Sequence, residues 1–128
     1  MKLLLDTHLL LWIVEESERL PTAARVLLDD PANEFLFSVV NLWEIAIKRG
    51  LGRKDFLIEP RELRRELIDG GYRELIVNSE HAMAVESLPP LHKDPFDRML
   101  IAQAMVEGIT LLTTDSQVGQ YPGAIRKI

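Results

Sequence analysis

Cysteine is absent from this chain of 128 residues, which excludes disulfide bridges, thiolate zinc sites and a cysteine nucleophile. No apolar run approaches the roughly 20 residues that a membrane-spanning helix needs. The first residues, Met1 to Asp6, lack the long apolar segment and the cleavage site of a signal peptide. We therefore expect a cytoplasmic protein that does not enter a membrane.

Basic residues are not in excess, because 15 Lys and Arg stand against 20 Asp and Glu and the net charge is −5. This balance argues against a protein that coats nucleic acid non-specifically, although it leaves room for a local basic patch. The chain has no internal repeat, no low-complexity segment and no linker. Its length suits one domain, which we expect to span residues 1–128.

Short apolar runs alternate along the chain with segments of helical periodicity. The predicted strands are residues 2–6, 34–38, 73–77, 109–113 and 124–127. The predicted helices are 7–14, one from 21–22 to 29–31, 39–49, 61–68, one from 78–79 to about 88, and 95–107. This alternation predicts an α/β protein with a parallel sheet that is covered on both faces. In such sheets ligands bind beyond the carboxyl ends of the strands.

Four acidic residues stand where buried strands and apolar helices should exclude charge. Asp6 and Asp115 follow apolar strands, Glu44 interrupts an apolar helix, and Asp97 opens another. A buried carboxylate without a partner costs several kcal/mol, and converging carboxylates repel one another unless a divalent cation joins them. Oxygen ligands favour Mg²⁺ or Mn²⁺ over zinc. The pattern predicts a metal-dependent enzyme.

Taken singly, each acid also has a simpler structural interpretation. Asp6 can cap the helix that begins at Thr7, and Asp115 can begin a turn. Glu44 can pair with Lys48 one helical turn later, although the apolar residues around it favour a buried helix.

Asp94 and Asp97 lie only three residues apart, and both suit the start of a helix. Asp94 precedes Pro95, which makes it the natural cap, and Asp97 falls in the first turn, where the helix dipole favours a carboxylate. Physical reasoning alone leaves open which of the two is a metal ligand.

Four segments spread over the chain carry a family resemblance: LLDTHLLLW at 4–12, SVVNLWEIAIK at 38–48, DPFDRMLIAQA at 94–104 and LLTTD at 111–115. In this order and spacing they resemble the motifs of PIN domains, specifically the VapC-type toxins of bacterial toxin–antitoxin modules. Receiver domains share the length and an acidic magnesium pocket. They are a poorer match, because Asp6 is followed by Thr7, no aspartate ends a strand at mid-chain, and Lys127 comes too late.

The resemblance implies a three-layer α/β/α fold with a mostly parallel central sheet. It also implies a Mg²⁺- or Mn²⁺-dependent ribonuclease that acts on structured RNA such as tRNA, a cognate antitoxin, and a homodimer. Carried over by motif, the acidic quartet consists of Asp6, Glu44, Asp97 and Asp115, with Asp6 and Asp97 expected closest to the metal. Asp94 then becomes a cap or an outer-shell group. Two departures are His8 after Asp-Thr, and the lack of a further acid soon after Asp115.

Further residues are predicted with weaker support. Outer-shell or substrate-binding roles are expected for Thr7, Asp94, Thr113, Lys48, Arg49 and Arg98. Surface or capping roles are expected for His81 and His92, and core packing for Trp12 and Trp43. The competing hypothesis is a non-catalytic PIN-like module that binds RNA or protein, and a DNA-directed nuclease is disfavoured by the short chain.

Overall fold

A five-stranded sheet forms the centre of the computed structural model, which describes residues 1–128. Its strands are β1 (Lys2–Leu5), β2 (Glu34–Ser38), β3 (Arg73–Leu75), β4 (Thr110–Thr113) and β5 (Ile125–Lys127). Their order across the sheet is β3-β2-β1-β4-β5, and every neighbouring pair is parallel. The predicted α/β class is confirmed, with a sheet that is parallel throughout.

Six helices connect and cover these strands. They are α1 (Thr7–Val14), α2 (Thr22–Asp29), α3 (Val39–Gly50), α4 (Pro60–Asp69), α5 (Ser79–Ala84) and α6 (Pro95–Glu107). Two short 3₁₀ turns occupy Val85–Ser87 and Val118–Gln120. No helix has both the length and the apolar character that crossing a membrane requires.

Most predicted bounds agree with the structure to within one or two residues, and two elements differ in ways that need a physical reason. The helix expected to reach residue 88 ends at Ala84 and continues only as a 3₁₀ turn. Leu88 is extended, because Pro89 disfavours helical backbone in the residue before it. The strand expected over 73–77 ends at Leu75, which lies opposite Ser38. Beyond Ser38 the neighbouring strand turns into α3, so no backbone remains to pair with residues 76 and 77.

Hydrophobic side chains fill both faces of the sheet, as strand alternation requires. Leu4 and Leu111 belong to one apolar cluster, which contains the buried face of α6. Leu5, Phe37 and Leu112 belong to a second cluster, which contains residues of α1, α2, α3 and α4. The sheet therefore lies between two helical layers, as expected for the three-layer fold.

The strand order changes direction beside β1, and this is where the acidic residues gather. The chain runs from β1 outward through β2 to β3, then returns to add β4 on the other side of β1. The crevice beyond the carboxyl ends of β1 and β4 is the usual ligand position in such sheets. Asp6 directly follows β1, and Asp115 lies two residues beyond β4.

Candidate functional site

All four acids of the predicted quartet line one pocket of about 390 Å³ at this edge of the sheet. They come from four different elements: the ends of β1 and β4, the middle of α3 and the first turn of α6. Asp94 lines the same pocket, which brings five carboxyl groups together. The structure therefore unites residues that are as far apart in sequence as 6 and 115.

Asp6 is buried, and each of its carboxylate oxygens has a donor. Oδ1 accepts a hydrogen bond of 3.0 Å from the backbone N–H of Leu9, so Asp6 caps α1. Oδ2 accepts one of 2.5 Å from the hydroxyl of Thr113. Burial raises the pKa of Asp6, and these hydrogen bonds only partly oppose that effect. The capping role and the pocket-facing role predicted for Asp6 therefore coexist.

Glu44 is only 3% exposed, although it lies on a helix with one exposed side. Its Oε1 accepts a hydrogen bond from the Thr7 hydroxyl and its Oε2 one from Lys48 Nζ, both of 2.5 Å. The expectation that α3 is buried nearly all round is wrong, because Trp43 is 53% exposed and Ile47 also faces solvent. The pair with Lys48 exists, but it is largely buried and borders the pocket.

Asn41 supports Thr7 from below the pocket, a role the sequence analysis missed. Its Nδ2 donates to the Thr7 hydroxyl over 3.0 Å, and its Oδ1 accepts from the backbone N–H of Ser38 over 2.6 Å. Because the Asn41 amide fills one lone pair of the hydroxyl, Thr7 can direct its own proton to Glu44. The sequence signal was a capping box, in which Ser38 is followed three residues later by Asn41.

Asp97 pairs with His92 inside the same pocket. His92 Nε2 lies 2.8 Å from Asp97 Oδ2. Burial, together with the charges of Asp94 and Glu44, raises the pKa of Asp97 to about 6 against the opposing effect of His92. The surface or capping role predicted for His92 is wrong, because its imidazole lies in the pocket against Asp97. Sequence spacing alone could not show that the loop carrying His92 returns to α6. The hydroxyl of Tyr121 holds that loop by accepting from the His92 backbone N–H over 2.8 Å.

Asp94 and Asp115 both use one oxygen to cap backbone. Asp94 Oδ1 accepts from the N–H groups of Phe96 and Asp97 over 2.8 and 3.1 Å, which confirms it as the cap of α6. Asp115 Oδ1 accepts from the N–H groups of Gln117 and Val118 and closes a turn. In each case the second oxygen is left for another partner.

The remaining predicted residues divide into those at the pocket and those away from it. His81 caps α5 through Nδ1, as expected. Arg98 does not line the pocket, because its guanidinium donates to backbone carbonyls that include those of Val85 and Pro89. Arg49 also lies outside it and donates to the carbonyl of Leu57. Core packing is wrong for the exposed Trp43, and Trp12 is half-buried at the pocket wall.

The donor set fits a hard divalent cation. Five carboxyl groups face only Lys48 and Arg19 as permanent cations in the pocket, and the raised pKa values of Asp6 and Asp97 reflect burial that these cations do not offset. The closest set of potential ligand atoms lies on His92, Asp94 and Asp97, within 4.8 Å of one another. The resemblance had instead put Asp6 beside Asp97 as the nearest ligands. The carboxylate oxygens suit Mg²⁺ or Mn²⁺, whereas the imidazole of His92 is a ligand type that transition metals prefer.

Comparison with known proteins gives a family match and a fold match. Residues 3–123 match the model of the PIN domain family. The fold is similar to VapBC2 from Rickettsia felis bound to a DNA fragment from its promoter, with a TM-score of 0.71 and 13% identity over 99% of this chain and 98% of that one. VapBC-1 from nontypeable Haemophilus influenzae has a TM-score of 0.62 and 17% identity over 99% and 98% of the two chains. DNA-bound VapBC from Salmonella typhimurium has a TM-score of 0.63 and 16% identity over 99% of this chain and 98% of that one. At these identities the likeness is one of fold, and no curated protein matches the sequence.

Proposed function

The chain belongs to the PIN domain family, and on that premise we propose that it is a Mg²⁺- or Mn²⁺-dependent endoribonuclease of the VapC toxin type. The observation that carries the proposal is the meeting of Asp6, Glu44, Asp97 and Asp115 in one pocket at the topological switch point of the sheet. The likeness of the fold to VapBC assemblies supports the toxin assignment.

In this proposal Asp6, Asp97 and Asp115 hold the cation, and Glu44 completes the site directly or through water. A divalent cation in such a site lowers the pKa of water and neutralises charge on a phosphodiester. The chain's own residues fix the carboxylates. Thr113 orients Asp6, and Asn41 acts through the Thr7 hydroxyl on Glu44.

Lys48 is the permanent cation nearest to the acids, and it has a second role in the proposal. Its ammonium group pairs with Glu44 at 2.5 Å and lies 5.0 Å from the centre of the buried Phe56 ring. The side chain is therefore held at the pocket wall, where it can contact a phosphate oxygen of the substrate. Attack by water requires no 2′-hydroxyl, so the choice of RNA rests on the family resemblance.

Solved structures of similar fold include VapBC from Salmonella typhimurium and a toxin–antitoxin complex from Klebsiella pneumoniae. We accordingly infer a cognate antitoxin for this chain and a homodimer, with structured RNA such as tRNA as substrate. Exposed apolar side chains on α2 and α6, Val26 and Met105, offer surface for protein contacts.

Cleavage of tRNA by metal-purified protein tests the enzymatic part. Asp6→Asn and Asp97→Asn should each remove cleavage in Mg²⁺, because each loses a carboxylate that holds the cation. The matched control is Asp29→Asn on the exposed end of α2, which should cleave like the unaltered protein. Cleavage retained by both pocket variants would refute the assigned roles.

A non-catalytic PIN-like module is the second candidate, and one observation favours it. Both oxygens of Asp6 and both oxygens of Glu44 already have protein donors, as structural acids would. A thermal melt with and without Mn²⁺ separates the two candidates. A metal that binds only the folded state raises the melting temperature, whereas the module predicts no change.

A further inference from the structure

A second pocket of about 340 Å³ adjoins the acidic pocket. His8, Trp12 and Arg19 line both pockets, so the two form one continuous groove. The second pocket lies on the side of α1 and extends to Lys54 in the loop before α4. None of the roles assigned above uses it.

Trp12 presents an aromatic surface at the junction of the two pockets. It lies one helical turn after His8 on α1, and their ring centres are 5.8 Å apart. The His8 ring in turn packs edge-on against the buried Phe56 ring at 5.6 Å. Trp12 is half-buried, so the body of its indole is anchored while part of it faces the groove.

Charge differs sharply between the two pockets. Arg19 and Lys54 are exposed, and neither takes part in a salt bridge. They are balanced by Glu15 and by Asp55, whose carboxylate already contacts His8 at 3.4 Å. The second pocket is therefore near neutral, in contrast to the strongly acidic one. A neutral pocket with an aromatic wall suits a planar, uncharged ring with polar edges.

We propose that the second pocket binds one unpaired nucleobase of the RNA, stacked on Trp12, next to the phosphodiester held at the acids. Single-stranded bases are recognised in this way, by stacking on aromatic or guanidinium planes. Arg19 lies at the junction and contacts the phosphate that joins this nucleotide to the cleaved bond. The inference rests on the proposed function, because it assumes that RNA occupies the acidic pocket.

The chain contains only two tryptophans, Trp12 and Trp43, which permits a direct test. Trp43→Phe leaves Trp12 as the sole tryptophan, and Trp12→Phe leaves Trp43. Each variant is mixed rapidly with increasing concentrations of a single-stranded RNA hexamer in Mg²⁺, and tryptophan fluorescence is recorded before cleavage proceeds. Saturable quenching is expected when only Trp12 is present, and none when only the exposed Trp43 remains. Equal quenching of both, or none of Trp12, would overturn the inference.

An abasic hexamer separates stacking from phosphate contact. It should bind the Trp43→Phe variant about tenfold more weakly or worse and should not quench it, since one stacked base contributes that much to affinity. Quenching by the abasic strand that equals quenching by RNA would exclude a base-stacking site.

Arg19→Gln tests the phosphate contact, with Arg61→Gln on the exposed face of α4 as the matched control. The binding constant falls as salt rises, so the slope of log K against log salt is negative. Loss of one phosphate contact should make this slope less steep by about 0.7 for a single strand. Only Arg19→Gln should do so, and an unchanged slope would remove Arg19 from the site.

Failure of this inference differs from failure of the proposed function. Cleavage in Mg²⁺ without quenching of Trp12 would leave the nuclease intact and refute the base pocket. Quenching without cleavage would keep the base pocket and refute the enzyme.

Discussion

Replacing Asp97 by asparagine should stabilise the metal-free protein while it removes the stabilisation that a divalent cation provides. Burial and the charges of Asp94 and Glu44 raise the pKa of Asp97 from its ordinary 3.8 to about 6. The ionised group is therefore less stable in the folded chain than in the unfolded chain. Asparagine keeps the shape and an acceptor for His92 but carries no charge.

The size of the effect follows from the pKa difference. A change from 3.8 to about 6 corresponds to about 3 kcal/mol of folding free energy lost when the group is ionised in both states. The Asp97 side chain is 19% exposed, so solvent reduces this figure. We expect Asp97→Asn to raise the free energy of unfolding by about 1–3 kcal/mol near neutral pH.

The stabilisation by Asp97→Asn disappears at low pH, and bound metal reverses its sign. Because the folded-state pKa is raised, the penalty is absent below about pH 4, grows as the pH rises towards 6, and is complete above it. The advantage of the variant should therefore vanish towards pH 4. With Mn²⁺ at about one hundred times its Kd, the unaltered protein should gain about 2.7 kcal/mol and the variant much less.

Urea unfolding in EDTA from pH 4 to neutral pH measures the stability difference between the two proteins and its loss in acid. The same experiment at neutral pH with Mn²⁺ measures how much the cation stabilises each protein. Asp29→Asn is again the control, because it lies outside the pocket and should show none of these differences. The reasoning is refuted if Asp97→Asn is the less stable protein without metal near neutral pH. A difference that does not change between acid and neutral pH would refute it as well.

Three further changes test the framework around the pocket, each by urea unfolding. Thr113→Val should lower the free energy of unfolding by about 1–3 kcal/mol, since it removes a buried hydroxyl donor. Thr113→Ser keeps the hydroxyl and should lower it less. Equal losses in the two variants would count against this hydrogen bond as the cause. Lys48→Met should cost about 3–5 kcal/mol because Glu44 stays buried without its cation, and adding Glu44→Gln should recover most of the loss. Gly108→Ala should cost about 1–2 kcal/mol because φ there is +68°. Gly50→Ala meets no steric contact and should be neutral or stabilising.

Much of the fold was predictable because local signals agreed with one another. Asp94 before Pro95 marks the start of α6 and was predicted as its cap, and the predicted end at residue 107 agrees with the structure, where Gly108 follows as the C-cap. The central strands β1 and β4 followed from short apolar runs that end at polar side chains. The end of β3 could not be predicted from local propensity, because it depends on another strand. β3 ends at Leu75 because its neighbour β2 ends opposite it, at Ser38.

The acids were predictable as a set, but the contacts between them were not. A carboxylate inside an apolar helix is visible in the sequence, and Glu44 was found by that signal. His92 and Trp12 also line the pocket. Their positions depend on how the chain folds in three dimensions, which hydrophobic periodicity does not show. Arg98 looked suited to substrate because it adjoins Asp97. On a helix, adjacent residues point in different directions, and Arg98 instead binds the carbonyls of the preceding loop.

The bond from Thr113 to Asp6 links residues 107 positions apart, and β1 and β4 pair side by side at the heart of the sheet. A nascent chain that has emerged from the ribosome only as far as α6 holds Asp6, Glu44 and Asp97, but neither the hydroxyl of Thr113 nor the carboxylate of Asp115. Long-range parallel pairing is also slow to form. A cation site that needs Asp115 and the hydrogen bond from Thr113 to Asp6 therefore cannot be completed until β4 has been synthesised and has paired with β1.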